Sequence, residues 1–89
     1  MSLLQRIKKA IREERYRISS HANDEMAEDF LEATDIEQII FTGKIVKKLT
    51  HDPRGTRYEI FGETIDGRRG YVVCRFLDSG TLLIITAYV

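Results

Sequence analysis

The sequence contains a single cysteine and no long apolar run. Cys74 alone excludes an internal disulfide and a zinc site built from several cysteines of this chain. No stretch approaches the roughly 20 apolar residues that a membrane-spanning helix needs. The basic N-terminus leads into no apolar core of the kind that directs export. We therefore expect a cytoplasmic protein without membrane contacts.

Motifs for cofactors and catalytic metals are also missing. There is no glycine-rich phosphate loop, cysteine pair, His-Glu-x-x-His sequence or nucleophile elbow. His21, His51 and Cys74 could supply three metal ligands, but isolated spacings of this sort are usually accidental. Cys74 lies in the most apolar segment, where a cysteine acts as a small buried hydrophobic residue. We expect no metal site and no other cofactor.

Charge is balanced overall but unevenly distributed. The 89 residues carry 14 basic and 14 acidic side chains. Residues 1–17 have a net charge of +4 (six basic, two acidic), residues 18–43 have −7 with no Lys or Arg, and residues 44–89 have +3 (eight basic, five acidic). A surface built from the first or the third segment would be positive, which is a weak indication of a charged partner.

The first half of the chain has helical patterns. We expect one domain over 1–89 that consists of a first helix over 1–15, a helical segment over 16–43 and strands over 44–89. Residues 16–18 read as a short extended link. The helix start signals are Ser2 with Gln5 (a capping box), Ser19-Ser20, and Thr34 with Glu37 (a second capping box), and Gly43 marks the last helix end.

The second half switches to strand patterns. Three turn sequences separate four β-prone segments: Asp52-Pro53-Arg54-Gly55, Asp66-Gly67 and Asp78-Ser79-Gly80. Short connections between consecutive strands imply an antiparallel meander whose apolar face the helices cover. The prediction is an α+β fold with N-terminal helices packed on a four-stranded antiparallel sheet. If Leu82 to Val89 forms an edge strand, it offers an open surface for pairing with a partner.

His21 is the first candidate for chemistry. It follows the expected helix start, so its ring should be partly exposed near the positive helix end. This position favours a neutral imidazole that can accept a proton near pH 7. The alternative is a structural role, in which the ring packs against Tyr16 or bonds a carbonyl group. Position alone leaves both interpretations open.

Basic and aromatic residues are interleaved in the strand half. Arg and Lys can hold phosphates while Tyr stacks on unpaired bases, as in single-stranded RNA binding; the alternative is a solvated strand face with basic turns. Because side chains alternate, Arg57 should face away from Tyr58. Arg75, amid apolar neighbours, must reach solvent, pair with a carboxylate or line a cleft. The candidate RNA-binding residues are Lys47, Lys48, Arg54, Arg57 and Tyr58.

Three groups of short motifs occur in order along residues 16–88. They are Ile18-Ser19-Ser20-His21-Ala22 with Met26 and Thr34-Asp35-Ile36; Gly62-Glu63-Thr64 with Asp66-Gly67-Arg68 and Val72-Val73; and Leu83-Ile84-Ile85-Thr86-Ala87-Tyr88. Together they resemble a small bacterial and archaeal domain family of unknown function that is placed near the RelE/ParE-like toxins.

This resemblance implies a RelE-like fold of helices on a curved antiparallel sheet, shared with metal-independent ribonucleases. It also implies a partner, since similar proteins are often found beside zinc-ribbon antitoxin-like proteins. The family's motif histidine falls on His21, and the threonine and aromatic residue of its last strand fall on Thr86 and Tyr88. Many members carry arginines where this chain has Glu25 and Asp29, and many continue beyond the final aromatic residue.

Two functions follow as hypotheses. The first is a toxin-like endoribonuclease acting on single-stranded RNA without metal, which needs a base, a phosphate-binding cation and an acid. Its catalytic candidates are His21 as base or acid, Arg75 or Arg57 as the cation, Tyr58 or Tyr88 as a stacking or proton-transfer partner, and Thr86 as an orienting group. The alternative is a non-catalytic protein-binding module or inactive toxin relative that acts through a partner or as a homodimer.

Overall fold

A computed structural model describes all 89 residues as three helices and a five-stranded sheet. The α+β class is therefore confirmed. No helix has both the length and the apolar composition that crossing a membrane requires. The elements in chain order are α1 (Leu3–Arg12), β1 (Tyr16–Ile18), α2 (Ser20–Glu28), α3 (Ala33–Thr42), β2 (Lys44–Leu49), β3 (Arg57–Glu63), β4 (Arg69–Phe76) and β5 (Leu82–Tyr88).

The sheet is mixed, with the strand order β1-β5-β4-β3-β2. Strands β2 to β5 form the expected antiparallel meander. The prediction of only four strands, all antiparallel, was wrong because residues 16–18 form a strand instead of a link. This strand pairs in parallel with β5, with Tyr16 opposite Leu82 and Ile18 opposite Ile84. Strand β5 is consequently internal, so the pairing surface expected of an edge strand is already occupied over Leu82–Ile84.

Two of the three predicted helix starts are confirmed. Ser2 and Gln5 form the reciprocal capping box of α1, and the Ser19 hydroxyl accepts the Ala22 N–H at 3.0 Å at the start of α2. The third helix start, predicted at Thr34, was wrong by two residues, because α3 is capped at Glu32. Asp35, rather than Glu37, bonds back to this helix start. Its Oδ2 atom accepts the N–H of Glu32 at 3.0 Å. Its Oδ1 atom accepts the N–H of Ile65 at 3.1 Å, a tertiary contact that ties this helix start to the β3–β4 turn.

The hydrophobic core lies between the three helices and one face of the sheet. Fifteen buried residues form one cluster, including Ile7 of α1, Met26 of α2 and Ile39 of α3. The sheet contributes alternate residues of its strands, among them Ile60, Val72, Cys74 and Ile84, and, after an irregularity in the pairing of β4 with β5, Ala87. The opposite face of the sheet, called the open face below, carries no helix-packed core residues.

Residues on the open face form three rows across β3, β4 and β5. The register pairs Glu59 with Val73 and Val73 with Thr86, and it pairs Phe61 with Tyr71 and Tyr71 with Tyr88. At the other end of this face, Arg75 pairs with Leu83. Arg57 lies next to Arg75, because each is one position beyond the last paired residues of β3 and β4, Tyr58 and Cys74. The open face therefore has arginines at one end and aromatic rings at the other.

Candidate functional site

A cavity of about 250 Å³ opens where the arginine end of the open face meets the start of α2. We call it the basic cavity. It is lined by the beginning of α2, the β2–β3 loop and three strands. The lining residues are Ser19, His21, Asp52, Arg54, Arg57, Arg75, Leu83 and Ile85. Four of the predicted site residues are thus brought together: His21, Arg54, Arg57 and Arg75.

His21 is placed at the cavity by the hydrogen bonds of the residue that begins its helix. The Ser19 hydroxyl donates to the carbonyl of Ile85 at 2.8 Å, and the Ser19 N–H donates to the carbonyl of Ile84 at 3.0 Å. These bonds fix the N-terminus of α2 against β5. The side chain of His21 is 70% exposed, so the expected exposure near a helix start is confirmed.

Arg75 and Arg57 reach the cavity from neighbouring strands. One terminal nitrogen of Arg75 donates to the carbonyl of Arg54 at 3.0 Å, which ties β4 to the β2–β3 loop. The Nε atom of Arg57 lies 3.2 Å from Oδ2 of Asp52, but it is buried and has no hydrogen-bond partner. Of the three positions expected for Arg75, the structure shows a partly exposed side chain on the cavity wall and no carboxylate partner.

Asp52 is the acidic residue of the basic cavity, and its side chain is only 6% exposed. The backbone N–H of Arg54 donates to its Oδ1 atom at 2.9 Å. This bond, together with the Arg54 and Arg57 guanidinium groups, holds the pKa of Asp52 below its usual range. The cavity lining thus includes three arginines and one carboxylate, which gives it a net charge of +2 when His21 is neutral. A concave site of this charge attracts anions such as phosphate.

Thr86 and Tyr88 lie outside the cavity lining, although both are on the open face. The Thr86 hydroxyl donates to Oε1 of Glu25, and the same oxygen lies 3.4 Å from Nε2 of His21. Thr86 is thus joined to His21 through one carboxylate. The Tyr88 hydroxyl lies 3.5 Å from Oε1 of Glu59, and partial burial followed by this carboxylate raises the pKa of Tyr88.

The other predicted RNA-binding residues also lie outside the cavity lining. Tyr58 packs against the core cluster on the covered face, as the alternation with Arg57 predicted. Lys48 is opposite Tyr58, and Lys47 is opposite Glu59. Both lysines are exposed on β2, which is an edge strand of the sheet.

Sequence reasoning missed two acidic residues of this region, Asp52 and Glu25. Asp52 was read only as a turn residue, and no local pattern indicates that Arg57 contacts it. Glu25 was read as a departure from a family arginine and not as a partner of His21. The spacing of four residues between His21 and Glu25 places both on one face of α2, and this signal could have identified the pair.

Neither Cys74 nor the histidines form part of a metal-binding cluster. The structure contains no group of three or more His, Cys, Asp or Glu side chains that could hold a metal ion. Cys74 is fully buried in the core, and burial raises the pKa of its thiol to about 12. The interpretation of Cys74 as a buried hydrophobic residue is therefore confirmed.

Comparison with known proteins identifies one family. The model of the family described as "Domain of unknown function (DUF4258)" matches residues 18–89, which include every residue that lines the basic cavity. No curated protein and no solved structure matches the chain. Helix α1 precedes the matched residues. Because the match covers all but the first 17 residues, this chain belongs to the DUF4258 family.

Proposed function

We propose that this protein is a RelE-like, metal-independent endoribonuclease that cleaves single-stranded RNA at the basic cavity. The observation that carries the proposal is the convergence of His21, Arg57 and Arg75 on one cavity, although they are separated by 36 and 18 residues along the chain. RNA cleavage without metal needs a base for the ribose 2′-hydroxyl and cations for the phosphate. The cavity contains both.

His21 acts as the base in this proposal. Its exposed imidazole takes the proton of the 2′-hydroxyl while the 2′-oxygen attacks phosphorus. The bond between phosphorus and the 5′-oxygen breaks, and the leaving oxygen takes a proton from water. The products are a strand with a 2′,3′-cyclic phosphate and a strand with a free 5′-hydroxyl. Asp52 is unsuited as the acid, because its lowered pKa keeps it ionised near neutral pH.

Arg57 and Arg75 bind the phosphate in this proposal. The negative charge that develops on the non-bridging oxygens is stabilised by guanidinium groups that are already in place before the reaction. The hydrogen bond from Arg75 to Arg54 and the ion pair of Arg57 with Asp52 hold both side chains at the cavity. Arginine offers planar, bidentate donors that suit phosphate.

The experiment uses a labelled single-stranded RNA incubated with the purified chain in the presence of EDTA. We expect cleavage products with a 2′,3′-cyclic phosphate, and a rate about 10²–10⁴-fold lower for His21→Ala. The matched control is His51→Ala, which removes the other histidine, exposed in the β2–β3 loop outside the cavity lining. Intact RNA after incubation with the wild-type chain, or equal rates for wild type and His21→Ala, would overturn the proposal.

A second candidate function is a protein-binding module that acts through a zinc-ribbon antitoxin-like partner or as a homodimer. The observation that favours it is Phe30, which is 86% exposed and has a φ of 56°. Arg68 donates to the carbonyls of Asp29 at 2.6 Å and Phe30 at 3.2 Å, and so supports this exposed loop. An exposed aromatic side chain on a loop held by hydrogen bonds can anchor a protein partner.

Light scattering at several protein concentrations tests this second candidate for the homodimer. We expect a concentration-dependent increase in mass for wild type and its loss in Phe30→Ser. A wild-type chain that is strictly monomeric and also fails to retain a zinc-ribbon antitoxin-like protein in a pull-down would contradict it.

A further inference from the structure

Three aromatic rings stand side by side on the open face, one from each of three neighbouring strands. Phe61 of β3 lies opposite Tyr71 of β4, which lies opposite Tyr88 of β5. The ring centroids of Phe61 and Tyr71 are 4.9 Å apart, and those of Tyr71 and Tyr88 are 5.2 Å apart with an interplanar angle of 22°. We call these three residues the aromatic row. Tyr88 is its last ring towards α2 and is 36% exposed.

The aromatic row shares its sheet face with the basic cavity. Tyr71 is four residues from Arg75 on β4, and Phe61 is four residues from Arg57 on β3. A strand advances about 3.3 Å per residue, so the row lies roughly 13 Å from the arginines along the strands. An extended single strand can therefore contact both ends of the open face.

Cross-strand aromatic pairs also stabilise sheets. This structural contribution does not require an exposed ring at the end of the row. Tyr88 leaves more than a third of its surface in water, and its hydroxyl makes only a long contact of 3.5 Å to Glu59. An exposed ring at the end of an ordered stack is available for stacking by another π-system.

We propose that the aromatic row is a stacking platform for an unpaired base of an RNA strand whose phosphate occupies the basic cavity. This inference rests on the proposed function, to which it adds a base-binding subsite separate from the reacting phosphate. Base stacking on aromatic side chains is tolerant of sequence, so the platform predicts affinity for single strands with little preference for one base.

Charge on the open face favours a nucleic acid over a protein as the occupant. Arg57 and Arg75 lie on this face, Arg54 of the β2–β3 loop lines the same cavity, and their guanidinium groups complement phosphates. Glu59, in the row between the arginines and the rings, contacts Tyr88 and carries negative charge. A carboxylate there repels phosphates but accepts hydrogen bonds from exocyclic amino groups of bases. The row that contains Glu59 and the aromatic row thus suit bases, while the basic cavity suits phosphates.

The test measures binding separately from cleavage, with fluorescently labelled single strands whose 2′-oxygens are methylated so that they cannot react. We expect Tyr88→Leu to weaken binding by about tenfold, because one stacked base contributes on the order of 1–3 kcal/mol. Tyr88→Phe keeps the ring and should bind like wild type. On an abasic strand of the same length, which retains the phosphates, wild type and Tyr88→Leu should bind equally.

Further measurements separate the base-stacking proposal from the ribonuclease proposal. The chain has no tryptophan and four tyrosines, so the part of the tyrosine quenching by a bound strand that is lost in Tyr88→Leu reports stacking on Tyr88. Equal affinity of wild type and Tyr88→Leu for the base-containing strand, or an equal loss on the abasic strand, would overturn the platform. Cleavage that depends on His21 but not on Tyr88 leaves the ribonuclease proposal intact and removes the platform. Binding that depends on Tyr88 without any cleavage supports the platform and overturns the ribonuclease proposal.

Discussion

The Oε1 atom of Glu25 lies 3.4 Å from Nε2 of His21. The same carboxylate oxygen accepts the hydroxyl of Thr86 and, at 3.2 Å, the backbone N–H of Ala87. These hydrogen bonds from β5 hold the carboxylate of Glu25 in place beside the imidazole of His21. Through this arrangement Glu25 can hold one ring nitrogen of His21 and leave the other for the substrate. It acts as a positioning residue for the proposed base.

Replacement of Glu25 by Gln should lower kcat for RNA cleavage by roughly tenfold and leave KM nearly unchanged, because orientation of the base is lost while the phosphate-binding arginines remain. Steady-state kinetics on a single-stranded RNA provide both constants. The control is Glu28→Gln, which removes a carboxylate from an exposed position of the same helix. If kcat is retained in Glu25→Gln, or if only KM changes, the positioning role is wrong.

Glu25 also shows why the sequence could not reveal the structural role of the carboxylates on the acidic helix α2. Glu25 and Asp29 accept the N–H groups of Ala87 and Val89. Four residues of helix advance about 6.0 Å and two residues of strand about 6.6 Å, so the two spacings match. The carboxylates replace a neighbouring strand along the part of β5 that β1 does not cover. The partner N–H groups lie 60 or more residues away in sequence, beyond the reach of local patterns.

The fold was predictable wherever local signals decide it. Caps and turn residues located α1, α2 and the meander, since their hydrogen bonds connect residues close in sequence. Strand β1 was missed because three residues cannot display an alternation, and its parallel partner Leu82–Ile84 is distant. The start of α3 was misplaced by two residues because Asp35, and not Glu37, accepts the N–H group at the helix start. In the site, His21 and Arg75 could be selected as candidates by residue type, but their proximity depends on the sheet register.

A charge test distinguishes the basic cavity from the remaining basic surface. For single-stranded RNA, log K falls with log salt concentration by about 0.7 for each phosphate that a cation neutralises. Arg75→Gln should reduce this slope by about 0.7, because it removes one phosphate contact. Lys48→Gln should leave the slope unchanged, since Lys48 pairs with Tyr58 of the covered face and lies outside the cavity lining.

Binding titrations of a non-cleavable strand at several salt concentrations supply these slopes. Should Lys48→Gln lower the slope as much as Arg75→Gln does, the phosphates follow the edge strand β2 and the cavity is not the binding site.

Gly62 sets the distance between α3 and β3. A Cβ atom added there would overlap the carbonyl oxygen of Ile39 and come within 2.9 Å of the Thr42 hydroxyl. Because backbone occupies the space, Gly62→Ala must displace the helix, and we expect a loss of about 3 kcal/mol in the free energy of unfolding. Urea denaturation measures this loss.

The control for Gly62 is Gly80→Ala. Gly80 has a φ of +88° and no atom near the added Cβ, so only backbone strain applies there, at about 1 kcal/mol. Similar losses for both variants would mean that the packing of α3 on β3 yields more easily than the contact distances indicate.

Alkaline pH should destabilise the protein through Cys74, whose burial raises the pKa of its thiol to about 12. A group with a raised folded-state pKa contributes stability that is fully present below its ordinary pKa, 9.0 for this thiol, and is lost as pH rises through the folded value. The shift of three units from the ordinary 9.0 corresponds to about 4 kcal/mol over the whole window, of which about 2 kcal/mol is lost by pH 10.5.

Tyr16 contributes in the same direction and needs its own control. Burial, followed by the hydrogen bond of its hydroxyl to Glu37 at 2.7 Å, raises the pKa of Tyr16 to about 12. Urea denaturation under reducing conditions at pH 7.0 and 10.5 should therefore give a loss that is about 2 kcal/mol smaller in Cys74→Ala than in wild type. Tyr16→Phe removes the ionisable hydroxyl and should still show the part of the loss in unfolding free energy that the Cys74 thiol causes. An identical loss in wild type and Cys74→Ala would mean that the thiol ionises without unfolding, and that the core around β4 admits water.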